Sequence, residues 1–386
     1  MSENEKTATN PHYTHYAPSV QNAISEGQPL NNNIIIAQSE EKSNSSFDNY
    51  QMLMRRMLDP SYLPTISMSE LYENIYEKKP PIIDGLLYPG TYLFVGAPKV
   101  GKSFFMLQLA YHISTGTPLW NFPVRKGSVL YLALEDDYRR LQERLYRMFG
   151  ITDAPNLRFS LTANHLGKGL NEQLQSFISE HPDTNLIIVD TLQKVRETSG
   201  DNFSYSADYD TITKLKQFTD SYNICLLVVH HTRKQKSDDT FETISGTNGL
   251  LGAADGAFIL HKEKRTSNKA ILEISGRDQQ DQKITLVRNE EKLSWDFESA
   301  ETELWKSPPE PILEKVAEFI TNENSEWTGT ATELVEKLGV DMKPNVLTLK
   351  LNVTAGQLLN DYGIIYKNTR THNGRSVSLK RKRDDA

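Results

Sequence analysis

Cysteine is almost missing from this chain: 386 residues contain one, Cys225. No internal disulfide can form. Because Cys225 lies within the apolar run Ile224-Cys225-Leu226-Leu227, its expected role is to fill a core. No apolar stretch is long enough to span a bilayer, and Met1 to Asn10 lack the apolar segment of a secretory signal. These absences point to a soluble protein of a reducing, cytoplasmic compartment. Positive charge is not in excess either, since the formal net charge is -7. A basic coat over the whole molecule is excluded, although a cleft or ring can still concentrate Lys and Arg locally. No internal repeat is visible.

What is present changes along the chain. Residues 1–50 are rich in Asn, Ser, Gln and Glu, a composition that buries too little surface to offset ordering, so a disordered tail is expected. Its Ile34-Ile35-Ile36 run is either a docking motif or a stray apolar patch. Residues 51–88 read as a lead-in segment in which Met68-Ser69-Glu70-Leu71-Tyr72 opens a short helix. From Thr91 onward, short runs apolar on both faces alternate with amphipathic stretches. The runs are 92–95, 129–134, 186–189 and 225–229, and helices are predicted near 102–115, 137–149, 169–180 and 208–222. Strands covered on both sides imply an α/β fold with a mainly parallel sheet. The runs at 257–260, 270–274, 283–287 and 293–295 predict a strand meander on the sheet's edge, closing a domain over residues 89–300. Residues 301–311, with Ser307-Pro308-Pro309-Glu310-Pro311, form a stiff linker. Over 312–380, helices near 312–320, 330–338 and 347–359 precede a hairpin with a basic tip at Arg375, the outline of a winged helix. Thr330 and Glu333 form a Thr-x-x-Glu helix start. Residues 381–386 are a charged tail.

The strongest chemical signal is Gly96-Ala97-Pro98-Lys99-Val100-Gly101-Lys102-Ser103, between an apolar strand and a helix that continues through Phe104. Gly96 and Gly101 let the backbone aim several N–H groups at phosphates, and the helix adds its positive end. Lys102 supplies a cation to the β and γ phosphates, while the Ser103 hydroxyl ligates Mg2+. ATP with Mg2+ is the implied ligand. Asp190, closing a core strand, either shares the metal or caps a helix. Glu135 also closes a strand, where it either polarises an attacking water or caps the next helix with Asp136 and Asp137. His230 and His231 follow a third strand and can contact the γ-phosphate or its water. Adjacent histidines on a strand face opposite sides, and no third ligand lies at metal spacing, so they are not read as a metal pair. Arg277, at a strand-end turn, is either an arginine finger for a neighbouring subunit or a surface partner of Asp278.

Taken together, Gly96–Ser103, Leu132–Asp136, Ile187–Gln193, Val229–Lys234 and Gly246–Asp255 resemble RepA-like ATPases, RecA-fold relatives of DnaB encoded on plasmids and other mobile elements. The resemblance covers residues 66–298. It implies a RecA-like core and a hexameric replicative helicase acting on single-stranded or forked DNA, with a primase or initiator protein as a further partner. By position, it makes Glu135 the catalytic base, Asp190 the second magnesium residue, His230 the γ-phosphate sensor and Arg277 the finger given in trans. The loops after the Asp190 and His231 strands would face a channel, where Lys194, Arg196, Arg233, Lys234 and Lys236 either track DNA or are a solvated surface whose second group Asp238 and Asp239 partly cancel. The carboxyl-terminal part departs from the family by exceeding its minimal core; there Lys367, Arg370, Arg375 and Lys380–Arg383 either hold duplex or forked DNA through phosphates or, in the basic tail, form a solubilising end. The competing expectation is a nucleotide-switched DNA-binding factor that recruits partners without unwinding.

Overall fold

The computed structural model describes residues 59–76, 80–196, 205–232, 241, 244, 248–262, 264–277, 279–301, 310–321, 324–371 and 374–382. The expected tail, Ile34–Ile36, the stretch from Arg233 to Lys236 and most of the linker lie outside them. The chain divides into two compact units, Met1–Pro64 and Thr65–Ala386. Of the first, the described part is a turn in which Asp59 accepts from Ser61 and Tyr62.

The second unit contains a nine-stranded sheet in the order β3-β2-β4-β5-β1-β6-β7-β8-β9. Its strands are β1 (Gly90–Gly96), β2 (Ser128–Ala133), β3 (Leu157–Ser160), β4 (Thr184–Asp190), β5 (Cys225–His231), β6 (Gly256–His261), β7 (Lys269–Gly276), β8 (Gln279–Arg288) and β9 (Trp295–Ala300). The first six in this list pair in parallel, and β7 to β9 add antiparallel strands at one edge. The expected edge meander therefore begins one strand late, because β6 joins β1 in parallel. All residues of β1, β2 and β4 are buried, as runs without alternation require when both faces are covered. The covering helices are α2 (Lys102–Thr115), α3 (Tyr138–Phe149), α4 (Leu170–Glu180), α5 (Leu192–Val195), α6 (Tyr205–Tyr222) and α7 (Asn248–Ala253). One face packs Phe105, Met106 and Ile113 of α2 against Phe94, Tyr131, Ile188 and Leu227. The other packs Leu174, Ile212 and Leu215 against Val95, Leu132, Val189 and Val228. Cys225 is fully buried in the first of these, and burial pushes its thiol pKa well up. This is a RecA-like α/β core in which β5 separates the phosphate-loop strand β1 from the Asp190 strand β4.

The carboxyl-terminal part has its own core, built from α8 (Pro311–Phe319), α9 (Ala331–Leu338), α10 (Pro344–Tyr362) and a sheet ordered β10-β12-β11. The strands are β10 (Glu326–Thr330), β11 (Ile364–Thr371) and β12 (Gly374–Arg381). This order of elements gives a winged-helix-like outline, with β10 as a short addition. Thr330 and Glu333 form the expected capping box at α9, and Pro311 and Pro344 open α8 and α10, where a missing N–H costs nothing.

The lead-in helix α1 (Met68–Glu73) belongs with this carboxyl-terminal core. It is started by a capping box between Ser67 and Glu70. At its end, Asn352 Nδ2 donates to the carbonyls of Tyr72 (2.9 Å) and Glu73 (3.1 Å). Asn352 is 1% exposed, and its Oδ1 accepts from Tyr366 Oη and Asn368 Nδ2. Ile75 packs on the same core.

Candidate functional site

The carboxyl ends of β1, β2, β4 and β5 are adjacent in the sheet, so residues leaving them converge. The loop after β1 turns through Lys99 at φ 65° and Gly101 at φ 111°. Glycine is required at 101 for a second reason. A Cβ there would stand 2.8 Å from the Trp295 ring, which walls the loop from behind. Gln108 of α2 fixes that wall by bonding both the backbone N–H and the carbonyl of Trp295, at 2.8 and 2.9 Å.

Lys102, the first residue of α2, is 7% exposed. Its ammonium donates to the carbonyls of Gly96 (2.6 Å) and Ala97 (3.2 Å) and meets His231 Nδ1 at 3.2 Å. Burial lowers the Lys102 pKa to about 8, against the pull of Asp190 and Glu135. Asp190 shifts the opposite way, upward: burial outweighs hydrogen bonds from Tyr131 and Ser103 that favour the carboxylate. Glu135 lies two residues beyond β2, exposed, where its Oε1 accepts from Thr191 Oγ1 at 3.2 Å. Helix capping next to it is done by Asp137, whose side chain accepts from Arg140 N. Glu135 is thus not occupied by that task.

The structure separates the two histidines, and it is His231 that meets Lys102. On β5 the neighbours of His230 in parity, Leu226 and Val228, face the core opposite α2, and His230 is 7% exposed. His231 shares the α2 face with Leu227 and Val229 and meets Lys102. Burial, followed by the charge of Lys102, lowers the His231 pKa, so the ring stays neutral and accepts from the ammonium. His231→Ala is therefore expected to reduce single-turnover ATP cleavage about a hundredfold, while His230→Ala lowers the thermal unfolding midpoint and leaves cleavage near wild type. The reverse pattern would restore His230 to the role.

Arg196 is also displaced from its expected surface. Its guanidinium is buried in an ion pair with Asp208, which is fully buried on α6. Desolvation of either charge alone would be expensive, so the pair ties the residue after α5 to α6. Lys194, in contrast, is exposed. Arg375 lies on β12, and Arg233, Lys234 and Lys236 are outside the described residues. Arg277 is exposed at the β7–β8 turn, and its Nη2 donates to Gly252 O at 3.0 Å. Gly276 pairs with Gly256, which pairs with Tyr92 near the start of β1. Arg277 thus occupies the end of the sheet opposite its own phosphate loop. No group of three or more His, Cys, Asp or Glu suited to a metal occurs among the described residues.

Residues 59–237, a little under half of the chain, match the AAA domain family AAA_25. Similar solved structures include an ATPase domain, with 14% identity, a TM-score of 0.48, and coverage of 67% of this chain and all of that one. Another is a DnaB-like replicative helicase described with its interactions with primase. It shows 15% identity, a TM-score of 0.49, and coverage of 65% of this chain and 71% of that one. Among curated proteins, none matches the sequence. The AAA match spans the phosphate loop, Glu135, Asp190 and both histidines, and ends before Arg277. No helix among the described residues is long and apolar enough to cross a membrane.

One contributor escapes sequence reasoning. Tyr131, within an apolar strand run, donates from its hydroxyl to Asp190 Oδ2 at 2.8 Å. Nothing in the run Val129–Leu134 separates this tyrosine from an ordinary core residue.

Proposed function

We propose that this protein binds ATP with Mg2+ at Gly96–Ser103 and hydrolyses it to drive a DNA-acting motor, a RepA-like replicative helicase of a plasmid or mobile element. The observation that carries the reading is the convergence of Lys102, Ser103, Glu135, Asp190 and His231 at the ends of neighbouring strands. The donor set fits the implied group: Ser103 and Asp190 offer hard oxygens already held together, as Mg2+ prefers. When bound, the metal would neutralise charge on the phosphates. The protein does the rest. Loop N–H groups and Lys102 hold the phosphates, Glu135 takes the proton of the attacking water, and neutral His231 orients Lys102.

In this proposal hydrolysis occurs between subunits of a hexameric ring. Arg277 of one copy completes the site of the next, and Lys194 contacts single-stranded DNA together with Arg233, Lys234 and Lys236. The winged-helix-like part, through Arg375 and the β11–β12 hairpin, holds duplex or forked DNA, and a primase or initiator is the protein partner. That same appended part supports a second reading, a nucleotide-switched DNA-binding factor without unwinding. ATP turnover measured with and without single-stranded DNA, beside strand displacement on forks of both polarities, separates them. DNA-stimulated turnover with displacement is expected; stimulation without displacement on either fork would establish the second reading.

A further inference from the structure

The hydroxyl of Tyr131 is an unusual thing to place where it lies. The side chain is 1% exposed, in the middle of a strand buried on both faces, with the Phe159 ring 5.7 Å away. A phenylalanine would fill that space without bringing a polar atom into it, and a buried hydroxyl without a partner costs free energy. Its partner is supplied by register. Ala133 lies opposite Asp190 and Tyr131 opposite Ile188. Tyr131 and Asp190 therefore face α2 together, and the phenol reaches up to Oδ2 at 2.8 Å. Ser103 joins the same group through its hydroxyl. A charge-assisted hydrogen bond of this kind fixes the acceptor as well as compensating the donor.

We propose that Tyr131 is a positioning residue for Asp190: by occupying Oδ2 it holds the carboxylate in one rotamer, the one that would serve the Mg2+ of a bound nucleotide. The proposal rests on the nucleotide reading above. Supporting residues of this sort commonly set the affinity of a metal site without touching the metal.

The test uses a non-hydrolysable ATP analogue, with its affinity measured in Mg2+ and again in EDTA. Wild-type protein is expected to bind more tightly in Mg2+. Tyr131→Phe should lose about tenfold in Mg2+ and nothing in EDTA. In an Asp190→Asn background, Tyr131→Phe should add no further loss. Equal losses in both buffers, no loss in either, or a full additional loss on top of Asp190→Asn would overturn the proposal. A Tyr131→Phe protein without a cooperative unfolding transition would overturn it too, since the hydroxyl would then be holding the core. Wild-type protein that binds no better in Mg2+ than in EDTA would instead sink the nucleotide reading, and the role of Tyr131 with it.

Discussion

Lys102→Met is expected to abolish ATP turnover, by at least about a hundredfold, while leaving the protein as stable as wild type or more so. The two halves of this expectation have one cause. The ammonium is 7% exposed and its pKa is lowered from 10.5 to about 8, chiefly by burial. The folded state therefore holds this charge at a disadvantage of up to about 3 kcal/mol at neutral pH. Methionine keeps the length of the side chain and removes the charge, so the thermal midpoint should stay level or rise. For a lysine whose folded pKa is depressed, the unfolded chain binds more protons between about 8 and 10.5. The Lys102 contribution to stability therefore improves as pH rises through that window. Nucleotide affinity is expected to move the other way, because the Lys102 cation is lost above about 8. Calorimetry and nucleotide titration at pH 7 and 9 on both proteins check this. A variant that turns over ATP normally would remove Lys102 from the site.

Arg277→Ala is expected to lose turnover on the order of a thousandfold and to keep nucleotide affinity. Arg277 stands at the start-of-β1 end of the sheet, anchored on Gly252 O, while the phosphate loop leaves the other end. It stands away from its own phosphate loop, so a catalytic effect is expected to pass to another copy. Mixing gives the decisive measurement. Arg277→Ala subunits keep an intact phosphate loop, and Lys102→Ala subunits keep an intact arginine. Each is inactive alone, and the mixture should regain activity wherever the two adjoin. No recovery on mixing, or full activity in a strictly monomeric sample, would return Arg277 to a structural bond with α7.

The strands that carry the site are readable because each is a short run without alternation, which only a two-sided burial explains. β3 is not, since Leu157-Arg158-Phe159-Ser160 alternates, as suits an edge position. The two histidines show the limit more sharply. Sequence places both at a strand end, but which one faces α2 depends on the pleat phase of β5, fixed by its pairing with β1 and β4. Arg196 is illegible for a comparable reason. Its partner, Asp208, is twelve positions away on a different helix, and a basic residue after a strand looks the same whether it faces solvent or an acid. Tyr131 hides inside its own hydrophobic run.

Asn352 holding the carbonyls of Tyr72 and Glu73 joins residues 280 and 279 positions apart. In chain terms, the whole RecA-like core is an insertion: α1 is made first, the core second, and the core of the small domain last. During synthesis the core can fold while α1 waits with none of its residues buried even in the finished protein. Closure of such a long loop comes late, because its entropy has to be overcome before the contact rewards it. The small domain is thereby completed only by a chain whose two ends have both been made, and a product truncated before α10 leaves its first helix undocked.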